Sequence, residues 1–156
     1  MNYPYYPIWT GSISLGDTPG VFMDSQYAGL LVQIPFTINF PEPPNTVDVV
    51  TILLTTTEVE IFADSNGNKL VHKVYLNWQP GTALPPAVGV IDDQVIFAGQ
   101  PEINQINIPG SSFGNAVAGR HTLTIQVNPN TNAGLRDDFV LKRIEISENV
   151  GARIGW

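Results

Sequence analysis

Two histidines, His72 and His121, are the first residues with chemistry to offer, and each lies on an apolar face of a segment that alternates like a strand. No His-x-His or His-Glu-x-x-His spacing accompanies either one, so a zinc site would need carboxylates brought from elsewhere. The residue types and positions favour structural, partly buried histidines. Asp64, Asn66 and Asn68 have the alternate spacing of a calcium loop. The glycine falls too early for such a loop, and Tyr75 stands where the closing glutamate belongs. A tight Asn-Gly hairpin explains the same residues without an ion. Asp92-Asp93 and Asp137-Asp138 are paired acids near strand ends, and they leave calcium open as a bound ion. Neighbours on a strand point to opposite faces, so neither pair forms a clamp without a turn.

Nucleophilic chemistry finds less support. The Gly-x-Ser-x-Gly elbow is absent. The glycine-rich run Gly110-Ser-Ser-Phe-Gly-Asn-Ala-Val-Ala-Gly119 lacks the lysine and following helix of a phosphate loop. Fourteen acids are present, yet nothing in their spacing pairs two across a cleft. The expectation is a protein that is not an enzyme, with no catalytic residues and no cofactor. Aromatic residues remain. Trp78 is a candidate sugar platform, because a sugar ring has an apolar face that stacks on indole; the alternative is that Trp78 caps the core at a strand end. Tyr3, Tyr5, Tyr6 and Trp9, interleaved with Pro4 and Pro7, make an aromatic arm, and Trp156 ends the chain. These five are candidate subunit contacts; the competing reading packs the arm along its own domain.

These residues must be carried by strands. His121-Thr-Leu-Thr-Ile-Gln-Val127 alternates with period two, placing Leu123, Ile125 and Val127 on one face with His121 and leaving Thr122, Thr124 and Gln126 on a wet face. Similar segments recur. Ile13 and Leu15 predict a short first strand, and Ala28–Ile38 a second, with Pro35 marking an edge or bulge. Val47–Ala63 is rich in β-branched residues and reads as one bent strand or two. Asp64–Asn68 closes a hairpin onto Lys69–Trp78, whose His72, Val74, Leu76 and Trp78 share a face. Gln79–Gly89 is a loop long enough to carry a contact. Val90–Ala98 and Ile103–Ile108 are further strands. The last pair is His121–Val127 and Asp138–Ser147. In the latter, Phe139 and Leu141 fall out of phase with Ile144 and Ile146; a bulge near Lys142-Arg143 restores them to one face, and a strand buried on both sides is the alternative.

About eight strands and no capped helical stretch predict an all-β fold: an antiparallel β-sandwich, read as a jelly roll. The domains are an extended arm (residues 1–10), one sandwich (11–150) and a short tail (151–156).

The chain has 156 residues and a net charge of −7; charged residues are only 13% of it, about half the usual share. Such a surface suits packing against protein or sugar, because few charges need desolvating. The seven cations form no run longer than Lys142-Arg143, which argues against nucleic acid. No cysteine is present, so there is no disulfide or thiolate metal site. Apolar runs are too short for a membrane span. The amino terminus lacks the basic start and apolar run of a signal peptide, so synthesis in the cytoplasm is expected.

Ala118-Gly-Arg-His-Thr-Leu-Thr-Ile-Gln-Val127, with Leu135-Arg-Asp-Asp-Phe-Val-Leu-Lys-Arg-Ile-Glu-Ile146, resembles the last two strands of jelly-roll carbohydrate-binding modules. Ile91-Asp-Asp-Gln-Val-Ile-Phe97 resembles another of their strands, with glutamine in place of a glycine. This resemblance covers about a quarter of the chain and implies the fold and a glycan as alternative partner. In organisation, a cysteine-free, weakly charged sandwich with aromatic termini resembles small viral structural proteins: phage capsid, decoration and tail-associated components. That resemblance implies a virion or other cytoplasm-made particle, and as partners other copies of the chain or a larger assembly protein. A spore-coat or inclusion protein shares the same physics.

Overall fold

The computed structural model describes residues 4–15, 23–24, 30–57, 71–91, 101–127 and 139–149. Nine strands run through them: β1 (Tyr6–Leu15), β2 (Met23–Asp24), β3 (Leu30–Asn39), β4 (Val49–Thr57), β5 (His72–Leu76), β6 (Gly89–Ile91), β7 (Pro101–Pro109), β8 (Ala118–Val127) and β9 (Phe139–Asn149). Two short 3-10 turns, Pro44–Thr46 and Gly110–Phe113, join them. The chain is an all-β sandwich of antiparallel sheets. One sheet has the order β1-β9-β4-β7 and the other β2-β3-β8-β5-β6. The pairing is nested: β1 with β9, β3 with β8, β4 with β7, and β5 with β6.

Side-chain alternation explains why these sheets face one another. In β7, Asn104, Ile106 and Ile108 are buried while Ile103, Gln105 and Asn107 point out. Ile103 therefore lies on the face opposite the two isoleucines that follow it. Ile34, Phe36, Ile38, Val74, Leu123 and Ile125 line the five-stranded sheet, and Val50, Ile52, Leu54, Ile106, Ile108, Leu141, Ile144 and Ile146 line the four-stranded one, in one cluster. Each fully buried aliphatic side chain contributes about 1.5–3 kcal/mol, so this cluster is the main force holding the sheets together.

The parity slip in β9 is a bulge. Thr55 pairs with Arg143 and Thr56 with Leu141, so Lys142 is the extra residue. With Lys142 turned out, Leu141, Ile144 and Ile146 are all fully buried on one face. The Lys142 ammonium donates to Ser12 Oγ at 3.1 Å, on a stretch of β1 that is itself out of register. Pro35 sits where β3 has lost its second neighbour: β8 pairs across it, but β2 reaches only Leu31 and Val32. Among the described residues no strand pairs with this side of Pro35, so its missing N–H costs the ladder nothing.

Some strand partners differ from those expected. β4 and β5 lie in different sheets, as do β8 and β9. Segments next to each other in sequence thus meet across the core, because each has one apolar face to bury. The expected hairpin at Asp64–Asn68 and the strand beyond Ile91 lie outside the described residues. The first strand begins well before Ile13, at Tyr6, inside the segment expected to be an arm.

Candidate interaction surface

The first half of β1 engages its own domain. Tyr6 pairs with Ile146 and Trp9 with Ile144, both on the core side of β9. A register shift between Pro7 and Trp9 keeps the two rings on that same side. Tyr6 stands edge-on to Phe40, with ring centroids 6.4 Å apart, and its hydroxyl accepts the Asn39 N–H at 2.9 Å. Burial raises its pKa. Trp9 lies against Gly11, where an added Cβ would come within 3.0 Å of the indole. Both rings, expected as contacts to a neighbour, therefore pack within this chain. Tyr5 remains exposed. Tyr3 and Trp156 lie outside the described residues.

Trp78 is 2% exposed and offers no open indole face to a sugar. Nor does it cap the core between the sheets. Asn77 takes φ 58°, a left-handed conformation that asparagine tolerates, and this turn flips the alternation at the end of β5. Trp78 consequently joins Tyr75 and Leu84 in a second cluster. The Trp78 indole N–H donates to the Thr82 carbonyl at 3.1 Å, while Gln33 Nε2 donates to the Trp78 carbonyl at 3.2 Å. Tyr75 hydroxyl donates to Gln126 Oε1 at 2.9 Å. Tyr75 pairs with Thr124, on the side of β8 that sequence alternation leaves to solvent. The expected wet face of β8 is thus covered here, and Thr124 and Gln126 are buried.

Both histidines pack within the fold. His72 is fully buried in β5. His121 stacks on Phe36 and meets Phe113 edge-on, and burial lowers its pKa. They sit on different strands, and no group of three or more His, Asp or Glu side chains among the described residues is placed to hold a metal ion. Asp64, Asn66, Asn68, Asp92, Asp93, Asp137 and Asp138, the residues that left calcium open, lie outside the described residues. Among the described residues, Glu148 is the buried acid. Its Oε1 accepts the Glu42 N–H at 3.1 Å, its Oε2 has no hydrogen-bond partner, and burial raises its pKa despite that bond.

A further surface is the outer face of the four-stranded sheet. β7 contributes the exposed Ile103, Gln105 and Asn107; β4 contributes the half-buried Leu53 and Thr55 and the buried Thr51; β9 contributes Arg143, Glu145 and the buried Ser147. Asn107 Oδ1 accepts from Thr51 Oγ1 at 3.0 Å and from Gln105 Nε2 at 3.2 Å, a lateral network that holds the amides flat. Arg143 and Glu145 form an ion pair at 3.2 Å, so the charges of these three strands cancel on this face. Sequence reading reached the alternation of β4 and β7 but not this surface. The face exists only once β4, β7 and β9 are neighbours.

No protein-family model matches this chain, and no curated protein matches it either.

Proposed function

We propose that the chain is a non-enzymatic structural protein, a jelly-roll component of a virion or comparable particle, which packs against copies of itself or a larger assembly protein. The outer face of the four-stranded sheet carries this reading. It is hydrogen-bonded within itself and charge-balanced, although the chain as a whole has a net charge of −7. Two such surfaces meet without bringing like charges together and with few ions to desolvate. The nested strand pairing supports the jelly-roll description. Tyr5, Tyr3 and Trp156 remain the aromatic contacts assigned to this role, Tyr6 and Trp9 being engaged with the chain's own core. The glycan-binding alternative loses its platform with Trp78 buried.

Light scattering of the purified protein over a wide concentration range tests the reading. A defined oligomer is expected. Deleting residues 1–10 is unsuitable as a control, because it removes half of a paired strand. Thr55→Arg, in the middle of the outer face, is the suitable disruptor. A protein that stays monomeric throughout, and in addition binds a saccharide, refutes the proposal.

A further inference from the structure

An open sheet edge is a template for another strand, and folded proteins blunt their edges with bulges, prolines, short strands or charges. The edges here differ sharply in this respect. β1 carries two register shifts and Pro7. β3 carries Pro35 where β2 no longer covers it. Among the described residues, β2 comprises two residues and β6 three. β7 has nine residues, from Pro101 to Pro109, with prolines only at its ends. Its register with β4 runs unbroken from Val49↔Pro109 to Thr57↔Pro101. Among the described residues, nothing pairs with its other side.

The outward side chains Ile103, Gln105 and Asn107 of this edge are uncharged. Ile103 is 58% exposed, the highest value among the exposed large hydrophobics of the described residues. β6 lies directly against β7: an added Cβ on Gly89 would meet the Ile106 side chain at 2.7 Å. Among the described residues, the exposed aliphatic Ile103 thus lies on the one long edge without a bulge or an internal proline.

We propose that β7 is a self-pairing edge: the β7 strands of two copies align antiparallel about a two-fold axis near Gln105, joining their four-stranded sheets into one continuous sheet. This proposal rests on the assembly reading above and specifies its contact. A second copy fits this edge for reasons of charge and symmetry. With Gln105 opposite Gln105, Ile103 falls opposite Asn107, and every outward pair is uncharged. Glu102 is the only ionisable residue of the strand. In this register the two Glu102 residues sit about 20 Å apart along the strands, well beyond the screening length of about 8 Å. The contact is isologous and closes as a dimer, leaving the outer faces free for larger assembly.

The absence of cysteine makes a direct test simple. Gln105→Cys places one thiol at the axis, and Thr37→Cys, exposed on β3, is the control. Under mild oxidation most of the Gln105→Cys protein is expected as a disulfide-linked dimer, and the Thr37→Cys protein as unlinked chains. Light scattering should show the unmodified chain at twice the monomer mass, and Ile103→Lys with Gln105→Lys at the monomer mass with an unchanged denaturation midpoint. An oligomer that survives the lysine pair, or in which Gln105→Cys fails to cross-link, overturns the edge contact while leaving the assembly reading intact. Dissociation by Thr55→Arg, without effect from the lysine pair, moves the contact to the outer face. A monomer at every concentration overturns the edge contact, and if it also binds a saccharide it overturns the assembly reading as well.

Discussion

The Asn77 carboxamide lies 2.9 Å from the His121 imidazole, Nδ2 to Nδ1, and Asn77 Oδ1 accepts the Thr122 N–H at 2.9 Å. The second bond orients the amide, so its NH2 group faces the ring. His121 Nδ1 must then accept, and the ring is neutral with its proton on Nε2. Phe36 and Phe113 pack against the same ring, with centroids 5.9 Å and 5.1 Å away. One asparagine thus reverses the chain after β5, pairs with β8 and selects a histidine tautomer.

That arrangement makes stability depend on pH. Burial holds the folded-state pKa of His121 below 6.5. The unfolded chain therefore takes up this proton first, and the contribution of His121 is complete above pH 6.5 and is lost as pH falls below it. The urea midpoint should decline between pH 6.5 and about 5, and the decline should be shallower in His121→Phe. Equal slopes in the two proteins would show that His121 is not the titrating group.

Glu148 acts with the opposite sign. Its pKa is raised by burial, with the Glu42 charge adding to the shift and the Glu42 N–H opposing it. Its contribution is present below pH 4.5, the ordinary value, and is lost as pH rises through the folded-state pKa. Glu148→Gln keeps an acceptor for the Glu42 N–H and removes the buried charge. At pH 7.5 it should raise stability by about 1 kcal/mol, or Tm by roughly 2–4 °C. A calorimetric scan showing a lower Tm would mean that the ionised carboxylate is itself stabilising.

Thr124 is fully buried and its hydroxyl has no hydrogen-bond partner. Thr124→Val keeps the β-branched shape and removes an unsatisfied polar atom. It is expected to leave stability unchanged or raise it by about 1 kcal/mol. Equilibrium denaturation with a loss of more than that would reveal a partner for the hydroxyl.

Gly110 is required by space. Its N–H donates to the Asp48 carbonyl at 3.2 Å, and an added Cβ would collide with the Pro44 and Val47 carbonyl oxygens. Those oxygens belong to the backbone around a 3-10 turn and have little room to move. Gly110→Ala should cost about 2 kcal/mol or more, read as a lower denaturation midpoint. An unchanged midpoint would show that the turn and the β7 end separate easily.

Much of this architecture is legible in local pattern. The alternation of Leu123 and Ile125 and the parity slip at Lys142-Arg143 each predict the burial that β8 and β9 show. Pro35 announces an edge because it lacks a donor, whichever strands surround it. The candidate surface is less legible. Trp78 is placed by a single left-handed residue, Asn77, and no periodicity reports a reversal of that kind. Tyr6 and Trp9 have the composition of a free arm, and only their pairing with Ile146 and Ile144 turns them inward.

By itself, the sequence determined what short-range physics determines: β-strands from period-two patterns and β-branched residues, a bulge from a broken period, a weakly charged surface and a chain without thiols. Tertiary structure alone decided which strands are neighbours. Pairing energy is similar for any two strands with matching faces, and the choice is made by closing one core between two sheets. That choice put β4 beside β7 and β9, created the balanced outer face, set Tyr75 beside the buried Thr124, and left β7 as the long edge without a bulge, an internal proline or a partner strand among the described residues.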